Sequence, residues 1–336
     1  MAGPLKGYRV LDMSRILAGP WAGQLLADLG ADVVKIERPG CGDDTRHWGP
    51  PYLKDQDGNE TEDAAYFFCA NRGKKSVTID ITRSEGQDII RQLALQSDVL
   101  IENYKVGGLA KYGLDYSALK KINPKLIYCS ITGFGQTGPY ANRPGYDFLI
   151  QGMGGLMSIT GEPDSPDNKT AGPVKVGVAV TDLFTGLYAA NAIQGALLER
   201  HQSGVGQYID LALLDVQAAV LANQASNYLI GNLVPERLGN AHPNIVPYQA
   251  FATADSHIII AVGNDQQFAR FCKVIESPLM AEDPLYASNA NRVNNRQVLC
   301  DSISVSLRQK DSLHWLAAFE ANDVPCGPIN SIDQVF

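Results

Sequence analysis

Paired cysteines are what this 336-residue chain most plainly lacks. Its six cysteines (Cys41, Cys69, Cys129, Cys272, Cys300, Cys326) are scattered, and no two form a C-x-x-C. That spacing supplies neither a zinc site nor a disulfide framework, and it points to a reducing, cytoplasmic setting. A basic excess is missing too, since 28 Lys and Arg stand against 36 Asp and Glu, for a net charge of −8. General nucleic-acid binders carry the opposite sign, so any anion must be held by a local basic cluster. The N-terminal MAGPLKGYRVLDMS has neither the apolar core of a signal peptide nor the Arg/Ser-rich pattern of a transit peptide. Residues 176–198 approach the length of a membrane span but include Asp182, Gln194 and three glycines. A central Asp alone costs about 2.5–3.5 kcal/mol in a bilayer, so no membrane span is expected.

Several catalytic signatures are absent as well. There is no G-x-S-x-G and no H-E-x-x-H, and neither His47 nor His242 has a Ser or Cys at a recognisable spacing. A serine hydrolase or zinc enzyme is unsupported. The turn after the first strand reads D-M-S-R-I-L-A-G-P instead of G-x-G-x-x-G, which argues against NAD. Glu37 then reads as a strand-end cap or as the partner of a nearby base.

What is present is an alternation of short β-branched runs and helical stretches. Strands are predicted over 8–13, 31–37, 75–81, 98–103 and 125–135, and helices over 19–30 and 84–96. Apolar strands separated by helices of this length indicate βαβ units and a mostly parallel sheet. The loops after these strands carry the unusual residues: SRILAGP, RPGCGDDTRHWGPP, NYKVGG and TGFGQTGPYANRPGYDF. Gly/Pro/aromatic loops at the carboxyl ends of parallel strands are where a ligand is expected. Basic residues gather there (Arg38, Arg46, Arg72, Lys74, Lys75, Lys105, Lys111), a set suited to phosphate groups. From Gly206 the pattern changes to a strand-like 206–214, a helix over 215–232, a hairpin over 251–263 and a helix over 265–275. That is the outline of a smaller α+β domain.

Between Val176 and Leu198 the one formal charge is Asp182, which follows a strand-like VKVGVAV and opens a helix. As an N-cap, it or Thr181 would contribute about 1 kcal/mol, and the residues alone favour that reading. The same position would let backbone amides and the helix dipole keep the carboxylate ionised. An ionised acid in a dry site can also act as a nucleophile and carry an acyl group as an anhydride. Cap and reagent both stay open at this point.

Long, ordered stretches of the chain resemble the class III CoA-transferases, the group that also contains α-methylacyl-CoA racemase. They are GYRVLDMSRILAGPWAGQLLADLGADVVKIERPGCGDDTR, NRGKKSVTIDI, DVLIENYKVGGLAKYGLDY, YCSITGFGQTGPYANRPGYDF and VGVAVTDLFTGLYA. TRHWGPP, the surroundings of His242 and IVPYQAF (245–251) are similar to the dicarboxylate-using branch. The resemblance implies that Asp182 is the nucleophile attacking an acyl-CoA thioester. It implies that Leu17, Arg38, Lys74, Lys75, Asn103, Tyr104, Lys111 and Tyr146 contact CoA. Arg38 and the lysines would bind phosphates, and the two tyrosines would line the adenine or pantetheine channel. Leu17 replaces a glutamine of the formyl-CoA enzyme, which argues against a small oxalate-like acceptor. Racemases of the family read G-H-D where this chain has Gly145-Tyr146-Asp147, and a tyrosine is a poor base at pH 7. A transferase is therefore expected over a racemase or a non-catalytic CoA-binding protein.

The implied architecture is α/β. A Rossmann-like CoA-binding domain spans 1–205, a helical linker 206–236 and a small α+β domain 237–330, with 331–336 starting a truncated return segment. Two copies would interlock as a ring-like homodimer, with the active site between the large domain of one and the small domain of the other. Acyl-CoA and a carboxylic acid are the implied substrates, with no tightly bound cofactor and no metal.

Overall fold

A computed structural model of the chain describes residues 3–164 and 172–336. It divides into one unit of Met1–Met157 with Lys175–Ser226, and another of Ser158–Val174 with Asn227–Phe336. Among the described residues, no helix is long and apolar enough to cross a membrane.

The first unit opens with β1 (Arg9–Asp12), α1 (Ala18–Asp28) and β2 (Asp32–Glu37). A short antiparallel hairpin follows, β3 (Tyr52–Lys54) with β4 (Glu60–Ala64), ahead of the single-turn α2 (Ala65–Phe68). This hairpin is not predicted from the residues, because charged and polar side chains there leave no apolar period. Next come β5 (Lys74–Thr78), α3 (Ser84–Leu95), β6 (Val99–Glu102), α4 (Tyr116–Ile122) and β7 (Ile127–Thr132). The unit ends with α5 (Asp147–Met153), α6 (Val180–Ser203), β8 (Tyr208–Ala212), α7 (Leu213–Val220) and the start of α8 (Ala222–Gly231).

Six strands form one sheet in the order β5-β2-β1-β6-β7-β8, and every neighbouring pair is parallel. The parallel α/β expectation holds because β6 is buried at all four positions and β7 at five of six, as strands covered on both faces must be. One face packs Val10, Val99, Ile101 and Cys129 against α1 and α6. The other packs Leu11, Leu100 and Tyr128 against Ile90 and Leu119 of α3 and α4. Helix α6 lies close to α1 at Gly186, where a Cβ would come within 2.8 Å of the Ala18 carbonyl oxygen. The strand order reverses between β1 and β6, and such a switch point opens a crevice at the carboxyl ends of the strands.

Three expectations change here. VKVGVAV forms no strand, and α6 begins at Val180 with Ala179 at its N-cap and no capping side chain. The helix expected over 215–232 is two helices, broken at Ala222, whose φ of 46° is left-handed. Within the stretch expected as a linker, 206–236, β8 is the sixth strand of the sheet.

The second unit carries a three-stranded antiparallel sheet, β11-β10-β9, of β9 (Tyr248–Ala252), β10 (His257–Ala261) and β11 (Cys326–Pro328). The predicted hairpin and the helix after it are both present. The latter is α9 (Asp265–Val274), capped by Asn264 accepting from the Gln267 amide. With α10 (Asn289–Asn294), α11 (Arg296–Leu307) and α12 (Ser312–Glu320), it encloses Ile258, Ile260, Phe268, Phe271, Ile303 and Phe319.

Candidate active site

A cleft of about 630 Å³ lies wholly within the first unit, at the carboxyl edge of its sheet. Its walls come from the loops after successive strands: Arg15–Ala18 after β1, Arg38 and Gly42 after β2, Ile79–Thr82 after β5 and Asn103–Val106 after β6. Ile131–Gly133 at the end of β7 and Ala141–Tyr146 before α5 complete it, with Asp182 from α6. The cleft therefore sits at the switch point. Seven residues singled out from the sequence line it together: Leu17, Arg38, Asn103, Tyr104, Lys111, Tyr146 and Asp182.

Two others do not. The Lys74 ammonium is buried and bonded to the Asp12 carboxylate, the Pro20 carbonyl and Asn71 Oδ1, each at 2.8–2.9 Å. Lys75 points to solvent and pairs with Asp32 at 2.6 Å. Parallel pairing sets Lys74 and Lys75 opposite Val33 and Val34 at the amino-terminal start of β5, and their ammonium groups are spent on Asp12 and Asp32, so neither lines the cleft. Of the remaining basic cluster, Arg46 is bidentate to Glu37 and reaches Asp63, and Arg72 is spent on Asp28. Glu37 is thus the partner of a base, as one reading of it held. Burial pushes its carboxyl up, but hydrogen bonds from Arg46, Ser76 and the Asp43 amide outweigh that and hold it down at about 2.

Asn103 lines the cleft, but its amide is engaged with backbone. Its Oδ1 accepts from Arg15 N at 2.9 Å, and its Nδ2 donates to Arg15 O at 2.7 Å. Lys105 of the basic cluster also lines the cleft, and so do two cations that sequence reasoning did not single out, Arg15 and Arg143. Arg38, Lys105, Lys111 and Arg143 form no ion pair with a carboxylate among the described residues, while Arg15 bonds Asp44 at 2.8 Å. Arg143 lies over the rings of Phe134 and Tyr140. Its place in the quoted loop before Tyr146 was the signal that could have found it.

The capping expectation for Asp182 is overturned. The amides at the start of α6 are taken by Asp147, whose Oδ1 accepts from Thr181 N at 2.8 Å and from Asp182 N at 3.4 Å. Asp147 is itself buried and steadied by Gln151 Nε2 at 2.7 Å. Asp182, third in the helix, is left with no hydrogen bond to its carboxylate among the described residues. Burial, and then the negative charge of Asp147, push its carboxyl up to about 7. Helix amides were expected to hold it ionised. Instead they serve its neighbour, and the neighbour's charge disfavours ionisation.

Two glycines set the floor. A Cβ on Gly133 would fall 2.5 Å from the Gly145 Cα, so the loop after β7 and the loop leading to Tyr146 touch backbone to backbone. Any side chain at either would separate them.

Comparisons with known proteins agree with this arrangement. The model of CoA-transferase family III matches residues 5–336. A succinate–glutarate CoA-transferase of Agrobacterium fabrum is 55% identical over 333 residues, 99% of this chain and 82% of that protein. The human succinyl-CoA:glutarate CoA-transferase is 46% identical over 99% of this chain and 73% of its own length. Among solved structures, a CaiB/BaiF family protein from Brucella suis superposes with a TM-score of 0.86 at 52% identity, covering all of this chain and 86% of that one. The parallel sheet, the cleft at its switch point and these matches along the full chain lead to one conclusion: the chain belongs to CoA-transferase family III.

Proposed function

We propose that this enzyme moves CoA from a dicarboxylic acyl-CoA, succinyl-CoA foremost, to a free carboxylic acid through an acyl anhydride on Asp182. The observation that carries this reading is Asp182 itself, a half-buried carboxylate without a partner in a cleft edged by unpaired cations. The names of the similar CoA-transferases support the substrate class.

The reaction starts when Asp182 loses its proton and an Oδ attacks the thioester carbonyl. The C–S bond breaks, CoA leaves as thiolate, and a mixed anhydride remains. The acceptor carboxylate then attacks the Asp182 carbonyl of that anhydride and expels the donor acid. The waiting thiolate attacks the acceptor's acyl carbon, and Asp182 departs as carboxylate. Each anhydride is a more activated acyl donor than a thioester, so no intermediate falls into a deep well. Asp147 favours acylation, because converting Asp182 to a neutral anhydride removes one of two adjacent negative charges. An acid with a raised pKa is also the more basic nucleophile once ionised.

Arg38, Lys105, Lys111 and Arg143 are assigned to the CoA phosphates, and Tyr104 and Tyr146 to the walls of the pantetheine or adenine channel. Leu17 lines the acyl end. Among the described residues no histidine lines the cleft, so a second proton-transfer base for racemisation has no candidate there. A cytoplasmic homodimer, interlocked as the family resemblance implies, is part of the same reading. It is supported by six unpaired cysteines and by the exposed Phe184, Leu187, Tyr188 and Leu198 along α6.

Incubation with succinyl-CoA and hydroxylamine, without acceptor, should release succinyl hydroxamate and CoA, and Asp182→Ala should release neither. Undiminished transfer by that variant would refute the assignment. Mass identification of product thioesters across a panel of acids then names the acceptor.

A further inference from the structure

Four residues, Ser14–Leu17, lie in the connection from β1 to α1; Arg15–Leu17 form one wall of the cleft, and most of the four residues' main-chain polar groups are held by side chains. Ser14 N donates to Asp12 Oδ1 at 3.0 Å, and Ser14 O accepts from Lys35 Nζ at 2.9 Å. Both main-chain groups of Arg15 are taken by the Asn103 amide, at 2.9 and 2.7 Å. Ile16 N donates to the Asp43 carboxylate at 3.2 and 3.3 Å. Lys35 and Asp43 pair with each other at 2.8 Å, with side chains 1% and 0% exposed. Asp43 is fixed in turn by Thr45 N and Oγ1, at 3.0 and 2.8 Å.

The residue so restrained is in an unusual conformation. Ile16 has φ of 73°, a left-handed value that a β-branched side chain avoids. Such strain persists only where surroundings over-determine it, and it gathers at functional sites. Helix formation at α1 explains none of it, since Leu17 is the N-cap and no side chain caps the helix. The kink delivers Ala18 to α6, whose Gly186 it meets one helical turn beyond Asp182.

We propose that the buried Lys35–Asp43 pair, with Asn103, is a positioning device that clamps Ser14–Leu17 in this kink and so sets the cleft wall beside the acyl group bound to Asp182. The idea rests on the reaction assigned to Asp182. Stability alone is a poor reason for the pair, because replacing a buried ion pair by apolar residues is often neutral or stabilising. The cations assigned to the phosphates lie outside Ser14–Leu17, in the connections after β2, β6 and β7. Loss of the clamp therefore disturbs the reacting end more than it disturbs CoA binding.

The double variant Lys35→Met/Asp43→Leu removes the pair without stranding a charge. Its kcat should fall about 10- to 100-fold, with KM for succinyl-CoA within about threefold of wild type, as misplacement of a reacting group requires. Hydrogen exchange of a peptide covering 13–18 should quicken, while one covering 99–102 should not. Lys35→Met/Asp43→Asn keeps an oxygen for Ile16 N without stranding the ammonium and should recover kcat to within about fivefold of wild type. A folded double variant with wild-type kcat, or with only KM altered, overturns the proposal. Should the double variant not fold, Asn103→Ser is expected to show the same kcat-dominated loss, and an unchanged kcat there overturns it equally. Asp182→Ala in the same series separates the two ideas. Retained transfer in that variant removes the nucleophile, whereas retained transfer in the clamp variants removes only the clamp.

Discussion

Two groups of buried charge lie in the first unit, and they are built in opposite ways. Beneath the ends of β1 and β2, Asp12, Lys35, Asp43 and Lys74 alternate in sign, and each acid has a cation at 2.8 Å. Burial pushes the Asp12 carboxyl up, but Lys74 and Lys35 more than offset it and hold it below the ordinary range. At the start of α6, Asp182 and Asp147 have the same sign and no ion pair with a cation among the described residues, and burial with repulsion from Asp147 carries Asp182 to about 7. Compensated charge is chemically quiet and fixes geometry. Uncompensated charge is held in readiness for a partner that arrives with the substrate.

The largest way to break this contrast is to remove the uncompensated member. Asp182→Asn should lower the transfer rate by about 10³-fold or more in steady-state assays, since it deletes the proposed nucleophile. The fold should survive it. On the other side, Lys74→Met strands Asp12 in the interior and should cost about 3–5 kcal/mol, read by urea unfolding. Activity would fall there only as folded protein is lost.

The pH dependence sharpens the comparison. Because Asp182 must be ionised to attack, kcat/KM should climb with pH through about 7. Asp147→Asn removes the second cause of the raised value and leaves burial, so the limb should move to lower pH without reaching the ordinary carboxylate range. A limb that does not move would assign the shift to burial alone. The smallest effect concerns Glu102, buried under the Tyr104 amide it accepts from and raised by burial to about 7. Its folded-state value lies above the ordinary 4.5, so the folded chain holds a proton that the unfolded chain has released. Stability should therefore decline between about pH 4.5 and 7. Glu102→Gln should flatten that slope in melts at a series of pH values.

Much of this was legible in the sequence, for identifiable reasons. The strands of the parallel sheet announce themselves as apolar runs, and Arg38, Tyr104 and Tyr146 sit in loops whose composition marks a ligand edge. What could not be read depends on distant pairing. Nothing in KKSV says that β5 joins β2 and sets Lys74 against Asp12, 62 residues away. Asp182 looked like a cap because helix starts with acids often are, but Asp147 reaches the same amides from 35 residues upstream. Local chemistry singled out an acid that lines the cleft and misjudged what surrounds it.

The contact between Gly133 and Gly145 bears on how this enzyme could be retrained. Randomising the loops after β7 and before α5 is the usual tactic for changing a substrate such as the acceptor. Here the two segments share a single backbone junction, so their libraries are not independent. Diversity has to be introduced at exposed cleft-lining neighbours such as Asn142 while both glycines stay fixed. Campaigns that spare the pair should yield active variants, and those that mutate it should yield few.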